Sequence, residues 1–223
     1  MLKAVLFDMD GVIVDTEPLH HKAYYGMFNE LNIEVSQEHY QSFTGQSTIN
    51  VCKSLCNHFE LTNEPQELVN IKRSIFKRLF KNDPELQLIQ GVHDLIKDYH
   101  SNGLTLVLAS SASMGTIDSV FDRFGLNKYF KSKISGADLK ASKPHPEIFE
   151  KAADLAGFNR KNCLVIEDST NGIQAANAAG IFCVGFKSPN SKNQNYSTAD
   201  KVITSFEEIV FNKAKDFFQL NSV

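Results

Sequence analysis

Long apolar runs are missing from this chain of 223 residues. None approaches the ~18 to 20 residues that a membrane-spanning helix needs, so no membrane partner is expected. A basic leading segment followed by a small-residue cleavage site is missing too. The N-terminus runs straight into a strand-like stretch, so no secretory signal is expected. Positive charge is not in excess: 23 Lys and Arg stand against 26 Asp and Glu, for a formal net charge of -3. That balance argues against nucleic acid as a ligand. Cysteine is scarce, with Cys52, Cys56, Cys163 and Cys183 the only four. None has CxxC or Cys/His metal spacing, and Cys56 with His58 supplies only two ligands, too few for a zinc site. Buried free thiols in a reducing cytoplasm are the expectation. There is no internal repeat and no low-complexity tract.

What is present is ordinary for a globular protein: 42% hydrophobic and 22% charged residues, enough to bury a real core. The length fits one to two domains. The chain is organised around its first fifteen residues. Ala4 to Phe7 form a short apolar run of the kind a buried parallel strand shows. The run stops at Asp8-Met9-Asp10-Gly11. Side chains repeat their direction every second residue of a strand, so both acids are expected to leave the strand end on one side. Two carboxylates so close repel each other unless a cation or a shared proton relieves them. Ligands in open α/β sheets sit at the carboxyl ends of strands, so this pair is read as part of a site.

From Thr16 onward the character changes. Helical patterns are expected over 16–31, 36–43, 47–58 and about 65–81, with no strand-like alternation between them. Pro18 suits the first turn of the first helix. From Gly91 strands and helices alternate. Strands are expected at 104–109, 133–135, 163–167, 182–186 and 201–204, with helices at 92–102, 113–124, 146–156, 172–179 and 206–218. This alternation implies crossover connections and a parallel sheet. The expected fold is therefore a doubly wound parallel α/β sheet, Rossmann-like, with an inserted all-helical segment. The polar stretch 188–197 is expected to be a mobile loop.

Three further stretches lie at or beside strand ends. Ala109-Ser110-Ser111-Ala112-Ser113 precedes a helix, where hydroxyls and backbone N–H groups form a phosphate cradle. Ala141-Ser142-Lys143-Pro144-His145-Pro146 sets a lysine among short polar residues and two prolines. Val165-Ile166-Glu167-Asp168-Ser169 ends a buried strand in an acidic pair. Taken singly, each has a plainer explanation: an N-cap for the hydroxyls, a solvated charge for the lysine, a helix cap for Asp168. Taken together they have a chemical logic. Four carboxylates at two strand ends suit a hard divalent cation such as Mg²⁺, which prefers carboxylate and phosphate oxygens. One aspartate is then free to attack phosphorus, and another can move protons.

These four motifs, in this order, resemble the haloacid dehalogenase superfamily, in its phosphatase and β-phosphoglucomutase branch with a helical cap after the first motif. The resemblance covers essentially the whole chain. It implies an α/β catalytic core over 1–15 and 86–223 and a specificity-setting helical cap over 16–85. It implies that Asp8 is the nucleophile, Asp10 the general acid/base, and Ser110 with the N–H of Ser111 the phosphate site. It further implies that Lys143 neutralises nucleophile and phosphoryl group, and that Asp8, Asp10, Glu167 and Asp168 bind Mg²⁺. The true dehalogenases lack the acid at Asp10, so its presence favours phosphoryl transfer.

In the cap, the resemblance points to the hinge at 15–20 with Thr16 and His20, to the loop residues Gly45, Gln46 and Ser47, and to Lys72. Plainer roles stay open for these: a first-turn helix residue, a loop with an N-cap, one base among Arg73, Lys77 and Arg78. The β-phosphoglucomutases carry an arginine just after this loop to grip a second phosphate, and the matching position is Thr48. The expected activity is hydrolysis of a small phosphorylated metabolite, a sugar phosphate, through an aspartyl-phosphate. A β-phosphoglucomutase-type mutase is the alternative, and a non-catalytic receiver phosphorylated on aspartate is a third reading. The expected assembly is a monomer or weak dimer.

Overall fold

A computed structural model describes residues 1–43, 48–84, 86–188, 191 and 193–220 of the chain. The chain divides into two compact units, residues 1–15 with 87–223, and residues 16–86.

The first unit is built on a six-stranded parallel sheet ordered β3-β2-β1-β4-β5-β6. Its strands are β1 (Ala4–Phe7), β2 (Thr105–Ser110), β3 (Phe130–Ser135), β4 (Cys163–Glu167), β5 (Phe182–Phe186) and β6 (Lys201–Ile203). Every residue of β1 is buried, because helices cover both faces of the sheet. On one face Ala4, Leu6, Val107 and Val165 pack against Phe149 and Ala152 of α7 (Glu147–Ala156) and Ile173 of α8 (Thr170–Ala178). The small alanines of α7 let that helix lie close to the sheet. On the other face the Phe7 ring meets Tyr99 of α5 (Val92–Ser101) and Phe130, with centroids 6.3 and 5.6 Å apart. Phe121 of α6 (Met114–Phe124) closes on Phe130 at 5.0 Å. Full burial of each such ring contributes on the order of 1.5–3 kcal/mol.

Residues 16–86 form a separate helical unit of α1 (Glu17–Glu30), α2 (Gln37–Gln41), α3 (Thr48–His58) and α4 (Pro65–Asn82). Its own core joins Ala23, Met27 and Phe28 to Val51, Cys52 and Leu55, and to Leu68 and Val69. The Lys22 ammonium meets the Asp83 carboxylate at 2.7 Å, tying the first helix of the unit to the end of its last. All four cysteines are buried and free. Among the described residues, no helix is long and apolar enough to cross a membrane.

Two expectations need correction. The helix expected over 206–218 is two pieces: a 3₁₀ turn at Phe206–Ile209, a break at Val210, then α9 (Phe211–Leu220). A capping box between Ser205 and Glu208 closes the turn on itself, and the Asp98 carboxylate accepts the Phe211 N–H at 2.7 Å, starting a new helix. The polar stretch 188–197 is tied down where it is described. Its Gln194 and Tyr196 side chains are hydrogen-bonded to Thr170 and Asp168.

Candidate active site

Strand register brings three of the sequence motifs to one edge. Phe7 pairs with Leu108 on one side and Ile166 on the other. The next residues, Asp8, Ala109 and Glu167, therefore stand side by side at the carboxyl edge of the sheet. The Asp8 N–H donates to the Ile166 carbonyl at 3.0 Å, fixing that alignment. The strand order reverses direction between β1 and β4, so this edge is the switch point where open α/β sheets bind ligands.

Lys143 joins the motifs. Its ammonium donates to Asp8 Oδ1 at 2.5 Å, Glu167 Oε1 at 2.8 Å and the Ala109 carbonyl at 3.1 Å. It also stands 4.9 Å from the centre of the Phe149 ring. The Lys143 side chain is 5% exposed, and Asp8, Glu167 and Asp168 are 6%, 1% and 6% exposed. The lysine that precedes a proline is thus no surface charge. It is a buried cation shared by two buried carboxylates, which push its pKa up against the opposing effect of burial.

Negative charge is still in excess. Burial pushes Asp8 up to about 7; Lys143 pulls it back, and Glu167 and Asp10 push it further. Burial also raises Asp168 well above the usual carboxylate range, helped by the charges of Glu167 and Asp8. Asp10 is half-buried just beyond the strand, where its backbone pairs with Val14. Gly11, at φ +86°, makes the turn beside it, and a Cβ there would stand 1.9 Å from Asp168 Oδ2.

Glu167 is held on both oxygens. Oε1 takes Lys143, while Oε2 accepts the Ser169 N–H at 2.8 Å and the Ser169 hydroxyl at 2.9 Å. Ser169 also caps α8 by accepting the Gly172 N–H at 3.1 Å. The Ser191 hydroxyl donates to the Asp168 carboxylate. Ser169, Gly172 and Ser191 were not singled out from the sequence. Ser169-Thr170-Asn171-Gly172 did carry the signal of a capped helix start, but nothing local showed that the same serine also grips Glu167.

On β2, Ser110 is fully buried, and its Oγ accepts the Ala112 N–H at 3.0 Å. Ser113 caps α6 by accepting the Thr116 N–H, and Ser111 is exposed at the helix start. The plainer N-cap reading therefore fits Ser113 and leaves Ser110 and Ser111 at the edge of the sheet.

In the helical unit, Thr16 is buried at the start of α1, and its carbonyl accepts the His20 N–H at 2.9 Å. His20 and Lys72 meet, with Lys72 Nζ 2.7 Å from His20 Nδ1. The His20 ring stacks on Phe76 at 4.4 Å, and Lys72, 4% exposed, lies about 5 Å from the Tyr24 and Phe76 ring centres. Burial first, and then the Lys72 charge, push His20 down to about 3. The ammonium donates, so the neutral imidazole accepts at Nδ1. Gly45, Gln46 and Ser47 lie outside the described residues.

Residues 5–186 match the haloacid dehalogenase-like hydrolase family. The chain belongs to that family. Among relatives of this haloacid dehalogenase-like hydrolase is Hexitol phosphatase B of Escherichia coli (strain K12), 28% identical over 96% of this chain and 95% of that protein. Another is the probable pseudouridine-5'-phosphatase of Drosophila melanogaster, 30% identical over 91% of this chain and 89% of that protein. A solved β-phosphoglucomutase from Clostridium difficile is 27% identical, with a TM-score of 0.77, covering 99% of this chain and 98% of that one. The hydrolase therefore sits on the phosphatase and β-phosphoglucomutase branch of its family.

The family generally uses Mg²⁺. Among the described residues no three His, Cys, Asp or Glu side chains are grouped to hold a metal ion. The expected set of Asp8, Asp10, Glu167 and Asp168 is not gathered into such a cluster, because Lys143 takes Asp8 and Glu167 while Ser191 takes Asp168. The donor set nevertheless fits a hard cation. Asp8, Glu167 and Asp168 are buried carboxylates, of which Asp8 and Glu167 share the Lys143 ammonium, and burial raises the pKa of Asp8 and Asp168.

Proposed function

We propose that the chain is a Mg²⁺-dependent phosphatase that hydrolyses a small phosphorylated metabolite, a sugar phosphate, through an aspartyl-phosphate on Asp8. The observation that carries this reading is Lys143, buried between Asp8 and Glu167 at the switch point of the sheet. A buried cation held against a strand-end aspartate, with a hydroxyl on the adjacent strand, suits a phosphoryl group better than a neutral substrate.

In this reading Asp8 Oδ attacks phosphorus, and Asp10 gives its proton to the leaving sugar oxygen. The phosphoryl group passes to Asp8, with Lys143 neutralising its oxygens and the Ser110 hydroxyl and Ser111 N–H holding them. Asp10 then takes a proton from water, which attacks the same phosphorus and frees Asp8. Asp8, the Asp10 backbone, Glu167 and Asp168 would hold Mg²⁺, which when bound would supply positive charge for the phosphoryl oxygens. The helical unit, through His20, Lys72 and residues 45–47, selects the leaving group.

Hydrolysis is preferred over mutase activity because of Thr48. Its short hydroxyl is hydrogen-bonded to Tyr24. A side chain of that length cannot form the two-pronged contact with a second phosphate that an arginine gives. The relatives named as phosphatases support the same choice. The test is phosphate release from a panel of sugar and sugar-alcohol phosphates with Mg²⁺, with and without glucose 1,6-bisphosphate. Stoichiometric phosphate release is expected. Conversion of β-glucose 1-phosphate to glucose 6-phosphate with little free phosphate supports the mutase, and binding without turnover supports the receiver-like reading.

A further inference from the structure

Asp168 is gripped from a distant part of the chain. The Tyr196 hydroxyl donates to the Asp168 carbonyl oxygen at 2.9 Å. Two residues earlier, Gln194 Oε1 accepts both the amide and the hydroxyl of Thr170, at 2.8 and 2.9 Å. The Thr170 hydroxyl in turn accepts the Asn195 N–H at 2.8 Å. Residues 168 and 170 are therefore pinned on either side of Ser169, the residue that holds Glu167 through its N–H and hydroxyl. The backbone at Asp168 and Thr170 is thus held by the 194–196 segment, while Glu167 is set by the pairing of β4 with β5 and by Ser169.

Two features make these bonds decisive. The segment borders an open pocket of about 520 Å³, and the described residues that line it, Lys187, Asn193 and Thr204 among them, are polar. The Tyr196 ring, by contrast, is seated on the core, with Cδ1 3.0 Å from where a Cβ on Gly185 would lie. The ring is anchored, and its hydroxyl is a rigid strut to the Asp168 backbone.

We propose that Tyr196, backed by Gln194, is a positioning residue for Asp168 and sets the affinity of the β4 acids for a divalent cation. This rests on the reading of Asp168 as a cation ligand. Partners outside the direct ligand shell commonly tune metal affinity by about 10- to 100-fold.

The test is titration calorimetry of Mg²⁺ into the full chain, for wild type, Tyr196→Phe and Gln194→Ala, with circular dichroism melts alongside. Tyr196→Phe keeps the ring and removes only the strut. It is expected to weaken Mg²⁺ binding about tenfold. The Mg²⁺ concentration for half-maximal phosphate release is expected to rise by the same factor, with a smaller change in kcat. Gln194→Ala is expected to change both in the same direction, and it carries the test if Tyr196→Phe does not fold. Wild-type Mg²⁺ affinity in the folded variants, or a lower melting temperature with unchanged affinity, overturns the inference while leaving the phosphatase reading intact. A wild-type chain that binds no Mg²⁺ overturns both.

Discussion

Gly172 and Glu167 are so close that no side chain fits between them: a Cβ on Gly172 would lie 1.8 Å from Glu167 Oε1. Gly172 sits in the first turn of α8, where alanine and most other residues serve a helix better. Its presence is explained by the carboxylate it makes room for. Gly172→Ala is expected to displace Glu167 from Lys143 and to lower Mg²⁺-dependent phosphate release at least ~100-fold. Gly115, in α6, has nothing within 4 Å of its Cβ position, and Gly115→Ala is expected to stabilise the fold by about 0.4–1 kcal/mol. Kinetics for the first and urea denaturation for the second check the contrast.

Lys143 holds two buried carboxylates at once. Lys143→Met removes the cation and leaves both behind, which typically costs about 3–5 kcal/mol of stability. A loss below 1 kcal/mol in urea melts would show that the pair is not the buried unit described above. Turnover is expected to fall at least ~100-fold, the usual consequence of losing one group that stabilises developing charge.

His20 gives the helical unit a pH dependence of known sign. Unfolded, its imidazole takes a proton near 6.5; folded, burial and Lys72 delay this to about 3. Between those values the unfolded chain binds more protons, so this contribution to stability falls as pH falls. From pH 7.5 to 5.5 the loss from His20 is about 1.4 kcal/mol. Urea denaturation at both pH values, for wild type and His20→Gln, isolates it: the variant is expected to lose less on acidification. An equal or larger loss in the variant contradicts the buried neutral imidazole.

The Asp98 carboxylate starts α9 from another helix by accepting the Phe211 N–H at 2.7 Å. Asp98→Ala is expected to cost about 0.5–2 kcal/mol, as loss of a helix cap does, with no effect on phosphate release. Thermal denaturation and the standard assay measure the two together.

Periodicity and turn signals located most of the helices and strands, because alternation and helical spacing are local. β1, β4 and β5 have the ends read from the sequence, since each is a short apolar run next to turn or charged residues. The break at Val210 was not legible, because the cap that creates it comes from Asp98, over a hundred residues earlier. The same limit shows at the site. Asp8, Lys143 and Glu167 could be nominated from their motifs, but the buried ion pairs that join them exist only once the register of β1 and β4 is set. Tyr196 and Gln194 lay in a polar stretch with no pattern, and their partners at 168 and 170 are distant in sequence.

The proposed hydrolysis depends above all on Asp8 carrying the phosphoryl group. Initial rates of phosphate release from the best sugar phosphate, with Mg²⁺ present, should be compared between wild type and Asp8→Asn at matched folding. The amide has almost the same shape but cannot attack phosphorus, so the variant is expected to show only the background rate. A rate within tenfold of wild type would contradict the account.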